Sequence, residues 1–216
     1  MTGGIADAGA PGISLLGESA FLIELIDGSS GRAAALAAHL RDAPPPAVLD
    51  AVAAYDTVAV YFDPLVCSPR ELSGLLLREF ETISAPAQES TVKHVIRVAY
   101  DGDDLDAVAG RTGLSRTDVI EIHAAGRYSV LAVGFVPGFA YLGELDERLR
   151  IPRRDTPRTR VPAGSVAIAG GQTAVYPLTT PGGWHIIGRT DARMFDPIRS
   201  PPSLLAVGDR VRFVPA

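Results

Sequence analysis

Beyond Ala124 the sequence never again sustains a helical period. Short apolar runs at Tyr128–Val133, Val166–Ala169, Thr173–Tyr176, His185–Ile187 and Arg210–Val214 are instead punctuated by glycine and proline. Neither residue suits a helix interior, and both supply the turn geometries that join short strands. This part of the chain has to build its core from strands, and the spacing of the runs predicts a β-barrel.

The residues before Ala124 read differently. Ala20–Ile26 carries the strand candidate FLIELI. Alanine-rich Gly31–Arg41 is a strong helix former stopped by Pro44, Pro45 and Pro46. Ala47–Ala53 and Thr57–Phe62 form a hairpin about Tyr55 and Asp56. Ser68 stands at an N-cap before Pro69, with Glu71 in the first turn and a stripe of Leu72, Leu75, Leu76 and Phe80. After the polar stretch Ser84–Ser90, the alternation of Val92, His94, Ile96 and Val98 gives another strand. The order is β-α-β-β-α-β, the ferredoxin-like pattern. Two helices, Leu105–Thr112 and one opened by the capping box Ser115 and Asp118, then lead into the barrel. The expectation is an α+β protein with a ferredoxin-like domain over residues 1–92 and a β-barrel domain over residues 93–216.

Composition narrows the function classes. Hydrophobic residues at 47% and charged residues at 21% describe a globular chain. No apolar run approaches the roughly 20 residues of a membrane span. The start MTGGIADAGAPG lacks a basic segment followed by an apolar one, so no signal peptide is expected and the cytoplasm is the expected location. A single cysteine, Cys67, excludes an internal disulfide and a cysteine cluster for zinc, and no metal site is expected. Lys93 is the only lysine, so cations at a working site have to be arginine or histidine. Residues 1–92 carry 4 basic and 12 acidic groups, and residues 93–216 carry 16 and 13. With a net charge of −5 and its arginines concentrated in a short segment, the chain is not expected to bind nucleic acid.

Three segments carry candidate chemistry. GFVPGFAYLG, Gly134–Gly143, holds Phe135, Phe139 and Tyr141 around Pro137, a rigid loop suited to a pocket or an interface; the same rings could plug one end of the barrel. Arg148, Arg150, Arg153, Arg154, Arg158 and Arg160 follow, opposed in that window only by Asp155, as an anion site or a solvated face. Arg153 and Arg158 are favoured because Pro152 and Pro157 fix the backbone beside them. Gln172, after Gly170 and Gly171, offers donor and acceptor to an amide, or simply follows a hairpin turn. TPGGWHIIGRT adds Trp184, His185 and Arg189. His123, ending a capped helix, and His185 are the candidate proton carriers. Gly183, Gly188, Arg189 and Thr190 approach a phosphate-loop pattern, but Trp184–Ile187 between them is strand-like, so no nucleotide motif stands. No nucleophile elbow surrounds Ser165.

GFVPGFAYLG, PRRDTPRTRVPAGSVAIAGGQTAVYP, TPGGWHIIGRT and FDPIRSPPSLLAVGDRVRFVP together resemble the 5-oxoprolinase B-subunit family, also described as allophanate hydrolase subunit 1. That family includes a Kip-type inhibitor of a sporulation histidine kinase. The resemblance implies a cyclophilin-like form for the barrel. It also implies homologues of the 5-oxoprolinase C and A subunits as partners, and an ATP-dependent conversion of 5-oxoproline to glutamate in which ATP serves the complex. A kinase inhibitor, or an accessory component of an allophanate- or urea-degrading enzyme, is the alternative within the same family. Residues Asp191, Ala192 and Arg193 depart from the family pattern.

Overall fold

The computed structural model describes residues 11–26, 30–83 and 93–216. The segments 1–10, 27–29 and 84–92 lie outside it, and with them the N-terminal stretch, the polar run Ser84–Ser90 and Val92. Two compact units make up the chain, Met1–Glu89 and Ser90–Ala216. Among the described residues no helix is long and apolar enough to cross a membrane.

The first unit contains β1 (Gly12–Leu16), β2 (Ala20–Glu24), α1 (Ser30–Asp42), β3 (Val48–Ala54), β4 (Thr57–Phe62) and α2 (Pro69–Thr82). Its strands run antiparallel in the order β1-β2-β4-β3. Alternation drives Val58, Val60 and Phe62 of β4 inward, while α1 buries Ala33, Leu36, Ala37 and Leu40. Each large apolar side chain among these contributes about 1.5–3 kcal/mol on full burial. At the start of α2, Ser68 stands at the expected N-cap and, with Glu71, closes a reciprocal capping box. Arg32 donates to the carbonyls of Phe80 and Ile83, and His39 Nε2 lies 2.7 Å from Glu79 Oε2, so α1 and α2 are tied side by side.

The strand expected to complete this unit does not. β5 (Lys93–Val98) pairs in parallel with β13 (Arg210–Pro215) in the second unit. The free edge of β2 is taken by β1, a strand the alternation pattern did not reveal.

The second unit continues with α3 (Leu105–Thr112), α4 (Arg116–Ala125), β6 (Tyr128–Val133), β7 (Ala140–Gly143), β8 (Arg158–Val161), β9 (Ser165–Ala169), β10 (Gln172–Val175), β11 (Thr180–Gly182) and β12 (His185–Arg189). Its main ladder runs β5-β13-β6-β7-β10-β9-β12, and β8 pairs separately with β11. Among the described residues no closed barrel ladder forms. The two ends of the sheet meet at one point, where Ala99 and Arg189 exchange both backbone hydrogen bonds at 2.9 Å.

β9 is buried along its whole length because both faces of the sheet are covered. On one face Val166 and Ile168 join Val98, Val130, Leu142 and Phe213, together with Leu105 and Val108 of α3. On the other, Ala167 and Ala169 lie under Phe139, Tyr176 and Trp184. Gly102 brings the α3 entry onto β12 so closely that a Cβ there would strike the Ile186 carbonyl, with Gly188 N at 2.5 Å. Replacing Gly102 with alanine is expected to lower stability by about 2 kcal/mol through overpacking, measured by equilibrium urea unfolding.

Candidate functional site

The arginine segment is organised by an aspartate that the sequence pattern did not single out. Asp104 precedes α3, yet makes no side-chain cap to that helix. Its carboxylate is 4% exposed and turns instead toward β12 and the arginines. Oδ2 accepts from the Ile186 amide at 2.7 Å and from Arg158 Nη1 at 2.8 Å. Oδ1 accepts from Arg158 Nη2 at 2.8 Å and from Arg154 Nη1 at 2.7 Å. Burial raises the carboxyl pKa, but the Arg158 hydrogen bonds, the Ile186 amide and the charges of Arg158 and Arg154 outweigh it and hold the group below the ordinary aspartate range. Arg158, expected to receive an anionic ligand, already has one in its own fold.

Arg153 is left on the other side of this anchor. It is exposed, its guanidinium carbon lies 6.0 Å from the centroid of the Trp184 ring, and it makes no ion pair among the described residues. Trp184 is 5% exposed and belongs to a packed aromatic cluster. Phe139 sits at the centre, with ring centroids 4.9 Å from Tyr141, 5.3 Å from Tyr176, 5.8 Å from Trp184 and 5.5 Å from Phe135. The floor beneath is made of Ala167, Ala169 and Ala174, whose small side chains admit the rings. The aromatics are thus mostly core, and part of the expected loop is strand β7. What remains outside is a rim: Phe135, 62% exposed with φ 73°, and Pro137 beside it, with Tyr141 half-buried. Gln172 pairs with Ala169 across the Gly170–Gly171 turn and, by strand alternation, shares a face of β10 with Ala174.

The two histidines differ in kind. His123 is fully buried, stacked on Phe213 at 4.8 Å. Thr173 Oγ1 donates to the Ala167 carbonyl at 3.1 Å, so it accepts from His123 Nε2 at 2.8 Å, and His123 Nδ1 accepts from Tyr100 at 2.8 Å. Desolvation lowers its pKa to about 3. The ring is held neutral, and its chain of hydrogen bonds ends on a carbonyl that takes no proton. His185, 2% exposed, donates from Nε2 to the Pro152 carbonyl at 2.9 Å. That fixes its tautomer and leaves Nδ1 a buried acceptor without a partner, an arrangement that costs about 1–3 kcal/mol.

Arg189 lies apart from the aromatic rim. It ends β12 at the meeting point with Ala99, and its side chain pairs with Asp101 at 2.9 Å. The expected site therefore divides: Phe135, Tyr141, Arg153 and Trp184 gather about Phe139, with Pro137 in the same loop and His185 tied to them through Pro152, while Gln172 lies at the start of β10 and Arg189 at the end of β12. Among the described residues no cluster of histidine, cysteine or acidic side chains could hold a metal ion.

Comparison with known proteins adds independent information. Residues 11–205 match the family described as carboxyltransferase domain, subdomain C and D. The chain is 43% identical to the 5-oxoprolinase B subunit of Escherichia coli O157:H7 over 93% of its length and 94% of the relative's. It is 37% identical to the 5-oxoprolinase B subunit of Bacillus subtilis, covering 94% and 91%. Among solved structures, TTHA0988 is 42% identical with a TM-score of 0.81. The match covers 91% of this chain but only 39% of that longer one.

Two acid-sensitive elements follow from this geometry. Asp104→Asn, which strands two arginines, is expected to cost about 3 kcal/mol. The depressed carboxyl contributes stability above the ordinary aspartate pKa and loses it as pH falls through the folded value. His123 acts between its usual 6.5 and about 3, where the unfolded chain binds a proton that the native ring refuses. Stability there falls by about 1.4 kcal/mol per pH unit. Urea midpoints measured across this range should show the slope in the native protein and its loss in His123→Gln.

Proposed function

The chain belongs to the carboxyltransferase subdomain C and D family, and from that membership we propose that it is the B subunit of an ATP-dependent 5-oxoprolinase. The observation that carries this reading is the near end-to-end match to two proteins named as 5-oxoprolinase B subunits. Under it, the complex opens the lactam of 5-oxoproline to glutamate. Homologues of the 5-oxoprolinase A and C subunits are its partners.

The chemistry fits a shared site. A lactam is resonance-stabilised and resists water, so its ring carbon has to be made more electrophilic before the C–N bond can break. Phosphoryl transfer from ATP to the lactam oxygen achieves this and leaves ADP. One water then adds to the ring carbon and the C–N bond breaks, with the nitrogen leaving as the amine, to give an acyl phosphate, which a second water hydrolyses to glutamate and phosphate. This chain has no phosphate loop, so in this reading ATP is held elsewhere in the complex. Arg153, exposed beside Trp184, is the guanidinium placed to meet a carboxylate or a phosphoryl oxygen. Gln172 reads the amide by donating to its carbonyl and accepting from its N–H. His185 keeps an uncommitted lone pair on Nδ1 and is the proton carrier of this reading. His123 and the Asp104 group position the sheet and the arginine segment.

Reconstitution with the homologues of the A and C subunits, followed by ATP-dependent glutamate release from 5-oxoproline, tests the reading. Arg153→Ala and Gln172→Ala are each expected to lower kcat/KM about a hundredfold without changing the circular dichroism spectrum. A stable complex that consumes allophanate and leaves 5-oxoproline intact would overturn it.

A further inference from the structure

The single meeting point between Ala99 and Arg189 leaves an open strand edge. Successive residues of a strand direct their backbone groups to opposite sides. Val98 faces β13, since its carbonyl accepts from the Ala216 amide at 3.0 Å, whereas Ala99 bonds to Arg189. Along β5 the amides and carbonyls of Val95 and Arg97 therefore point the same way as those of Ala99. Among the described residues β13 is the only strand paired with β5, so none meets them on that side. Beyond Ala99 the chain segment Thr190–Ala192 stands off from β5, and a cleft of about 450 Å³ opens between Val95–Arg97 and Arg189–Ala192.

The side chains around this edge carry one dominant sign. Lys93, Val95 and Arg97 alternate outward from β5 and are exposed, while Ile96 and Val98 enter the core. Arg212 of β13 pairs in register with Val95 and is exposed beside it. Arg189 borders the cleft, with Asp101 on its guanidinium. Asp191 is the acidic residue in the cleft lining, set against Lys93, Arg97, Arg189 and Arg212 along the edge. Neither Lys93 nor Arg97 makes an ion pair among the described residues. The chain's sole lysine and three arginines thus flank a row of backbone donors and acceptors.

We propose that this edge receives an extended acidic segment of a partner protein by β-strand addition, its backbone pairing with Val95 and Arg97 and its carboxylates meeting Lys93, Arg97, Arg189 and Arg212. Main-chain bonds of this kind supply affinity, and alternate side chains supply selection. The charged edge rejects a second copy of itself, since like charges would face each other, and selects a strand of opposite sign. The inference stands independently of the 5-oxoprolinase reading, because it concerns a surface and not the lactam chemistry.

The test uses the full chain and a fluorescein-labelled peptide of alternating glutamate and valine, read by anisotropy, with hydrogen exchange followed at β5. The expected result is saturable binding with added protection at Val95 and Arg97. Arg97→Glu with Arg189→Glu should weaken it about tenfold or more. A peptide of the same charge with alternate backbone amides N-methylated should lose binding comparably. Equal binding of the methylated peptide would reduce the site to unspecific charge attraction and overturn strand addition. So would competition by inorganic phosphate at concentrations where matched chloride has no effect, which would assign the cleft to a small anion. Failure of the unmethylated peptide to bind overturns the proposal outright. The methylated peptide leaves the protein unaltered, so the outcome does not depend on a variant folding.

Discussion

One carboxylate organises the second unit. Asp104 is nearly sealed from solvent, and an ion in that position is tolerable only if its lone pairs are filled and its charge opposed. The Ile186 amide and two guanidiniums meet both needs. In doing so they bind the entry of α3, strand β12 and the irregular segment around Arg154 to one another. The close approach of Gly102 to the same part of β12 belongs to this arrangement, because a side chain there would hold the aspartate away from its partners. The aromatic rim inherits its geometry from this anchor. Arg153 sits next to a fixed Arg154, and Trp184 lies two residues from the amide that Asp104 holds.

The sheet explains why so few of the expected site residues are free to work. With hydrophobic residues on both faces, every ring and histidine near the middle of β9 and β10 is drawn into packing. His123 shows the result most plainly: desolvation removes its charge, and a tyrosine and a threonine take up both ring nitrogens. Outside that packing, Gln172 follows the Gly170–Gly171 turn and Phe135 stands in a left-handed backbone.

What could be read from the sequence followed the range of the forces involved. The N-cap at Ser68, the capping box at Ser115, the Tyr55 turn and the strands β4 and β6 are set within a few residues, and they appear where the pattern placed them. Strands β7, β8 and β11, of three or four residues rich in glycine, proline and arginine, carry too little alternation to be seen. The fate of β5 was equally hidden, since its alternation predicts a strand but does not say which sheet it joins. The Asp104 group lay furthest out of reach. Its partners are 50, 54 and 82 residues away, and next to Asp103 ahead of a helix it looks like an ordinary cap. The family resemblance supplied what local pattern could not, because shared motifs register long-range packing without describing it.

The parallel pairing of β5 with β13 has a consequence for how the second unit comes into being. His94 and Asp209, 115 residues apart, are in contact, so the first strand of the unit waits for the last. On a ribosome, β5 emerges long before its neighbour exists, with the apolar side chains of Ile96 and Val98 uncovered and a row of backbone groups open on each side. Such high contact order slows folding and lengthens exposure to aggregation. The lysine and arginine on the outward positions of β5 are then guardians of a nascent chain, keeping an orphan strand apart from its own kind until synthesis delivers the strand it was made for.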